Sequence, residues 1–331
     1  MATLGHRWPG TGKAKDPAKD PAKDPTPNAG LKILAQWEWH SATLAPLHLA
    51  PALHHDHKAA QDQDLPPQAG QMHVFDLGFF ALQWLAHLHA AQAYFCCRYK
   101  AGTHLGFATP WAPNTLQWAT SPLEWLSGWP PDITQAECPV VLGQKAGVKA
   151  RLIAFRVPPA VALQRREAAQ AKARKKGQAV SENTLALCAW NLFVTNASPD
   201  RLSASGASVL YRVRWQIERL FRLWKETLQV DSWRTQNPQR ILCEVWAKLI
   251  GALLTQKLTT FCGWADPARS LVKCAQAIQS HAIGLLTHLR FRNALYREIQ
   301  ALQRACRQGA KIEKRRIKLP TFQRIAQVKS A

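Results

Sequence analysis

The spacing of apolar and polar positions changes several times along this chain. Leu31 to His40 and Ala42 to Ala50 read as two strands, the first with Trp37 and Trp39 on one face. A short helical segment surrounds Asp56 to Gln63. Gln71 to Phe75 is a brief apolar strand ended by Asp76-Leu77-Gly78-Phe79-Phe80, followed by a helix over about Ala81 to Gln92 and a strand over Ala93 to Tyr99. This β-β-α-β-α-β order predicts a mixed α/β sheet. From Lys100 to about Thr184, Trp111, Trp118, Trp125 and Trp129 sit among prolines and short apolar runs, and Val148 to Arg156 is strand-like, so the region reads as β-rich. It carries a basic helical arm over Gln164 to Gly177. Leu185 to Thr195 returns to strand, a helix starts near Ser203, and two more helices are predicted at about 239 to 260 and 269 to 306.

The segment Tyr211 to Lys225 has the sharpest pattern. Treated as one continuous helix at about 100° per residue, it separates into two faces. Val213, Ile217, Leu220 and Trp224 stack on one side, an apolar stripe that anchors the helix to a core. Tyr211, Arg214, Trp215, Glu218 and Lys225 share a sector of about 100° on the other. Glu suits a divalent cation, Arg and Lys suit phosphates, and Trp suits stacking on a base. The plainer alternative is a solvated face on which Glu218 pairs with Arg214 or Arg222.

Composition narrows the partner. Lys and Arg total 43 against 21 acidic residues, a net charge of +22. That excess makes a polyanion the expected partner, with nucleic acid ahead of an anionic membrane surface. No window approaches the roughly 18 uninterrupted apolar residues of a membrane span. Residues 15 to 26 repeat Lys-Asp-Pro-Ala or its Thr variant and read as a disordered linker. The eight cysteines form no Cys-x-x-Cys pair, and free thiols in a reducing cytoplasm are the simplest account. His54-His55-Asp56-His57 offers no set of zinc ligands with suitable spacing.

Tyr211, Arg214, Glu218 and Lys225, at intervals of two, three and six intervening residues, resemble the Y-R-E-K signature of DDE transposases of the insertion-sequence "IS-four" family. Asp76-Leu-Gly-Phe-Phe resembles that family's second catalytic aspartate motif, although an Asp at a strand end is also an ordinary helix cap. The 142 positions between Asp76 and Glu218 match members with an inserted β domain. The resemblance implies a ribonuclease-H-like mixed sheet with a β-rich insertion. It divides the chain into a basic linker (1–30), a first core part (31–99), an insertion with its arm (100–184), a second core part with the Glu helix (185–262) and a helical basic region (263–331).

The resemblance further implies Mg²⁺, or Mn²⁺, held by Asp76 and Glu218 as catalytic residues. Phosphates would be clamped by Tyr211, Arg214 and Lys225, and Trp190 or Trp215 would stack on a flipped base. Arg165, Arg166, Lys172, Arg174, Lys175 and Lys176 of the arm would contact transposon-end duplex DNA. Read without the family, Trp190 is equally a core aromatic and the arm a solvated charge run. A homodimer acting in the bacterial cytoplasm, on the nucleoid and without a membrane, is implied as well. The family's other catalytic aspartate, on the first core strand, has no counterpart here. The expectation is therefore an N-terminally truncated copy lacking that strand, whose activity as written is open, and a catalytically inactive DNA-binding or dimerising derivative is the alternative.

Overall fold

A computed structural model describes residues 30–39, 43–45, 47–56, 66–109, 112–235, 237–263 and 269–311. The linker repeat, most of the segment after Asp56 and nearly all of the basic tail lie outside the described residues. The chain divides into two compact units, one from Asp56–Arg214 and the other from residues on either side of it.

The first unit is built on a seven-stranded sheet. Its strands are β5 (Met72–Val74), β6 (Tyr94–Arg98), β7 (Leu105–Thr109), β8 (Ala112–Ala119), β9 (Gln135–Leu142), β10 (Val148–Arg156) and β11 (Trp190–Thr195). They lie in the order β5-β6-β11-β10-β9-β7-β8. Only β5 and β6 are parallel, with Val74 opposite Cys96, and every other pairing is antiparallel. The predicted mixed sheet is therefore present, and the strands of the β-rich region extend it instead of forming a sheet of their own.

Alternation along the strands builds both faces. On one face Phe95, Cys97, Leu152, Ala154, Leu192 and Val194 pack with Leu85 and Leu88 of α1 (Leu82–Ala90), the crossover helix between the parallel strands. On the other face Cys96, Ile153 and Phe193 meet a helix near the end of the unit. Strands covered on both sides read as continuous apolar runs, as Tyr-Phe-Cys-Cys does here. The remaining helices before that one are α2 (Leu123–Ser127), α3 (Pro159–Arg174) and α4 (Glu182–Leu187). α4 replaces the first part of the strand predicted over Leu185–Thr195. Its start is fixed by Ser181, whose Oγ accepts from Thr184 N at 3.3 Å.

The helix on the second face is α5 (Ala204–Val213), capped by Ser203 Oγ, which accepts from Gly206 N at 3.1 Å. Its first turn is Ala-Ser-Gly-Ala, and Ala204 and Ala207 are buried against the sheet. Small side chains let backbone approach strand, and Cys96 Sγ lies 3.8 Å from Ala207 O.

In the second unit β1 (Leu31–Leu34) pairs with β4 (His48–Pro51), and β2 (Trp37–Glu38) with β3 (Thr43–Leu44). These are two-stranded ribbons outside the large sheet, so the strands predicted over 31–50 do not lead into it. They pack on α6 (Trp215–Leu228) and α7 (Pro238–Gly263), where Leu31, Ile33 and Leu49 join buried Leu220, Trp224, Val245 and Leu249. The single helix predicted over 269–306 is two, α8 (Leu271–Thr287) and α9 (Arg292–Gln308). Ser270 Oγ caps α8 by accepting from Lys273 N at 3.4 Å. Cys262, Cys274 and Cys306, one from each of α7, α8 and α9, meet with Leu302 in one buried cluster.

Candidate active site

Asp76 lies two residues beyond β5, at the carboxyl end of the only parallel pair in the sheet, where α/β folds place ligand sites. It caps the 3-10 turn Leu77–Phe79, its Oδ1 accepting from Leu77 N at 2.8 Å. The cap reading holds, and capping leaves further acceptor positions on the carboxylate. A Cβ at Gly78 would lie 2.5 Å from Oδ2 of Asp56, so a larger residue there would make that carboxylate swing away. The glycine of Asp-x-Gly therefore admits a second carboxylate against the turn.

Two side chains from the end of α5 hold Asp76. Tyr211 Oη donates to Oδ1 at 3.3 Å and Arg214 Nη1 donates to Oδ2 at 3.4 Å. The Asp76 side chain remains about half exposed, at 52%, whereas that of Arg214 is 13% exposed. The carboxylate is oriented from behind and open in front. Burial is the main cause that raises the Tyr211 hydroxyl to about 12; Asp76 raises it too, against Arg214 and Arg98. Tyr211 is consequently a neutral donor at physiological pH. Its ring is buried against Phe193 and carries two guanidinium groups, Arg98 at 5.9 Å and Arg214 at 5.5 Å from the centroid.

The placement of α5 depends on residues that the sequence reading did not single out. Arg151 on β10 donates from Nε to Ala197 O at 2.8 Å and from Nη2 to Leu202 O at 2.5 Å, fixing both ends of the loop that enters α5. Its Nη1 pairs with Glu137 at 2.7 Å. Asn196 accepts from Phe95 N at 2.7 Å and donates to Ala93 O at 2.8 Å, tying β11 to β6. Arg98 carried a usable signal. It follows Cys96 by two residues, so it shares the α5 face, and it ends the strand parallel to the one that precedes Asp76.

The helix predicted through Tyr211–Lys225 is interrupted at Arg214. Tyr211 and Arg214 belong to the sheet unit; Trp215, Glu218 and Lys225 lie on α6 in the helical unit. Leu220 and Trp224 are buried as the apolar stripe requires, with Leu223 added. Trp215 is 56% exposed, Lys225 is exposed and Glu218 is intermediate.

The basic arm splits by role. Arg165 donates to Trp190 O at 3.3 Å and to Asn191 Oδ1 at 2.9 Å, and Arg166 donates to Leu185 O at 3.1 Å. Burial first, then the nearby Arg98, lowers the pKa of Arg165. Lys172, Arg174, Lys175 and Lys176 are all exposed. Trp190 is half-buried, and the Arg156 guanidinium lies 4.5 Å from its ring centroid, covering one face. Among the described residues no three His, Cys, Asp or Glu side chains converge as a metal cluster, and no helix is long and apolar enough to cross a membrane.

The transposase DDE domain family matches residues 5–254. The transposase for insertion sequence element IS231F of Bacillus thuringiensis subsp. israelensis is 25% identical over 262 residues, covering 76% of this chain and 52% of that protein. Those for IS231D of subsp. finitimus and IS231C of subsp. berliner are 24% and 25% identical, with the same coverage. The chain spans about half the length of these curated relatives.

Proposed function

The chain belongs to the DDE transposases, and from that premise we propose that it carries a DNA strand-transfer site with Asp76 and Glu218 as two of its carboxylates. The observation that carries this reading is the oriented, half-exposed carboxylate of Asp76 at the parallel strand ends, backed by Tyr211 and Arg214. The mixed sheet with helices on both faces supports a ribonuclease-H-like core, and the open edge of β5 is where a further core strand would pair.

The candidate residues divide the work. Tyr211 and Arg214 position the Asp76 carboxylate by donating to separate oxygens. Arg98 and Arg214 supply the positive field that draws a phosphodiester toward it. Lys225 and Trp215 on α6 contact backbone and base, and Lys172, Arg174, Lys175 and Lys176 engage duplex DNA. Arg165 and Arg166 support those contacts by anchoring the arm, and Trp190 offers its uncovered face to a base.

Asp76 and Glu218 are hard oxygen donors that fit Mg²⁺, with Mn²⁺ as a substitute; water and phosphate oxygens would complete the shell. When bound, the ion would neutralise charge building on the phosphoryl group and favour the ionised nucleophile. A homodimer acting on double-stranded terminal repeats and target DNA in the cytoplasm, at the nucleoid, belongs to the same reading. Trp246, Ile250, Leu254 and Phe261 form an exposed apolar stripe on α7 that supports self-association.

The test is Mn²⁺ binding to the full chain, read by electron paramagnetic resonance with duplex DNA present. Asp76→Asn and Glu218→Gln should each weaken Mn²⁺ binding at least tenfold, about 1.4 kcal/mol, with the fold intact. Unchanged Mn²⁺ affinity in both folded variants would refute the assignment.

A further inference from the structure

The helix α9 has a composition that its place in the fold does not demand. It is 17 residues long, about 26 Å at 1.5 Å per residue. Its inner face carries Leu302 and Cys306, both buried. The outer face, a sector of about 160°, holds Arg292, Asn293, Tyr296, Arg297, Gln300, Gln303, Arg304, Arg307 and Gln308. All four of its arginines are exposed.

A solvated helix face ordinarily interleaves carboxylates with its cations at i±3 and i±4. Here the only carboxylate of α9 is Glu298, which points inward and takes a 2.6 Å contact from His281 Nδ1 on α8. From Arg269 to Lys311 there are eight Lys and Arg against that one acid. Apart from Tyr296, the uncharged polar residues on the face are amides, the side chains that reach base edges in a major groove wide enough to admit a helix. The α8–α9 hairpin also lies beyond the residues matched to the transposase domain.

We propose that the outer face of α9 is a second duplex-DNA contact, with Arg292, Arg297 and Arg304 on phosphates and Asn293 and Gln300 toward base edges. It rests on the transposase reading only for the identity of the polyanion. An anionic membrane is the competing partner, because Ile283, Leu286, Leu289 and Phe291 are exposed around the α8–α9 turn. Those residues surround the turn and not the arginine face, and a membrane-surface helix would bury its apolar face in lipid, whereas that of α9 is already packed in the protein.

The experiment is fluorescence anisotropy of a labelled mixed-sequence duplex titrated with the full chain across a salt series. Replacing Arg292, Arg297 and Arg304 with Gln should reduce the slope of log K against log salt by roughly 0.9 per arginine. Affinity near physiological salt should fall at least tenfold. Arg307 is left in place because it influences buried Cys262. Far-UV circular dichroism checks folding, and hydrogen exchange on α9 with and without duplex gives an independent readout. An unchanged slope in the folded variant overturns the proposal. So does loss of binding to phosphatidylglycerol vesicles with duplex binding retained. Mn²⁺ affinity of the same triple variant, measured in parallel by electron paramagnetic resonance, should be unchanged, so failure of the metal site and failure of this surface are read separately.

Discussion

Among the described residues, Asp56–Arg214 leave one large hydrophobic side chain, Leu163, well exposed, whereas the helical unit leaves thirteen, from Leu53 to Tyr296. The sheet unit covers its strands on both faces and directs several of its cations inward or across, Arg151 to loop carbonyls, Arg165 to β11 and Arg156 to the ring of Trp190, leaving exposed cations on the arm. The helical unit turns its arginines and much apolar area outward. Positional accuracy is concentrated in the first unit and contact surface in the second. That division suits the proposed reading, in which one carboxylate is held still while a long polymer is gripped.

Three measurements can break or sharpen that contrast. Phe95 is fully buried in the sheet, and Phe95→Ala should cost about 3–5 kcal/mol in urea denaturation. A loss below about 1 kcal/mol would mean that the sheet is not the rigid half. A smaller effect comes from pH. Tyr211 and Tyr99 are each raised to about 12. Because the folded-state pKa lies above the unfolded value near 10, their contribution is full below pH 10 and fades as pH rises from about 10 through about 12. Absorbance at 295 nm should show both ionising late, and Tyr211→Phe should remove one of the two late steps. The smallest effect is expected at Ile283, 79% exposed, where Ile283→Ser should change stability by less than about 0.5 kcal/mol while reducing self-association in light scattering. A large destabilisation there would place that side chain in a core.

Local patterns were legible where one interaction determines them. The parallel strand before Asp76, the crossover helix and buried Leu220 and Trp224 follow from spacing alone. The interruption at Arg214 was hidden because every residue from Tyr211 to Lys225 tolerates a helix, so periodicity ran straight across a boundary between two packing units. The turn at 288–291, between α8 and α9, was hidden for a similar reason, since neither Gly nor Pro marks it. In the candidate site, the place of Asp76 at a strand end was legible, but the residues that fix the loop into α5 and tie β11 to β6 were not. Arg151 and Asn196 act on backbone groups 46 to 103 positions away, a relation that no short window contains.

The unequal burial of the eight cysteines provides a clock for opening. Cys243 is exposed, while Cys96 and Cys97 lie under α5 and α1, and Cys262, Cys274 and Cys306 lie among the helices. Burial pushes the thiol of Cys96 to about 12 and that of Cys274 to about 12, so neither forms thiolate near neutrality. An alkylating reagent should mark Cys243 quickly and the five buried thiols only as their surroundings open. Because the buried thiols fall into two sets, one in each unit, the order of mass increments would time the loosening of sheet and helices separately within a single unmodified chain.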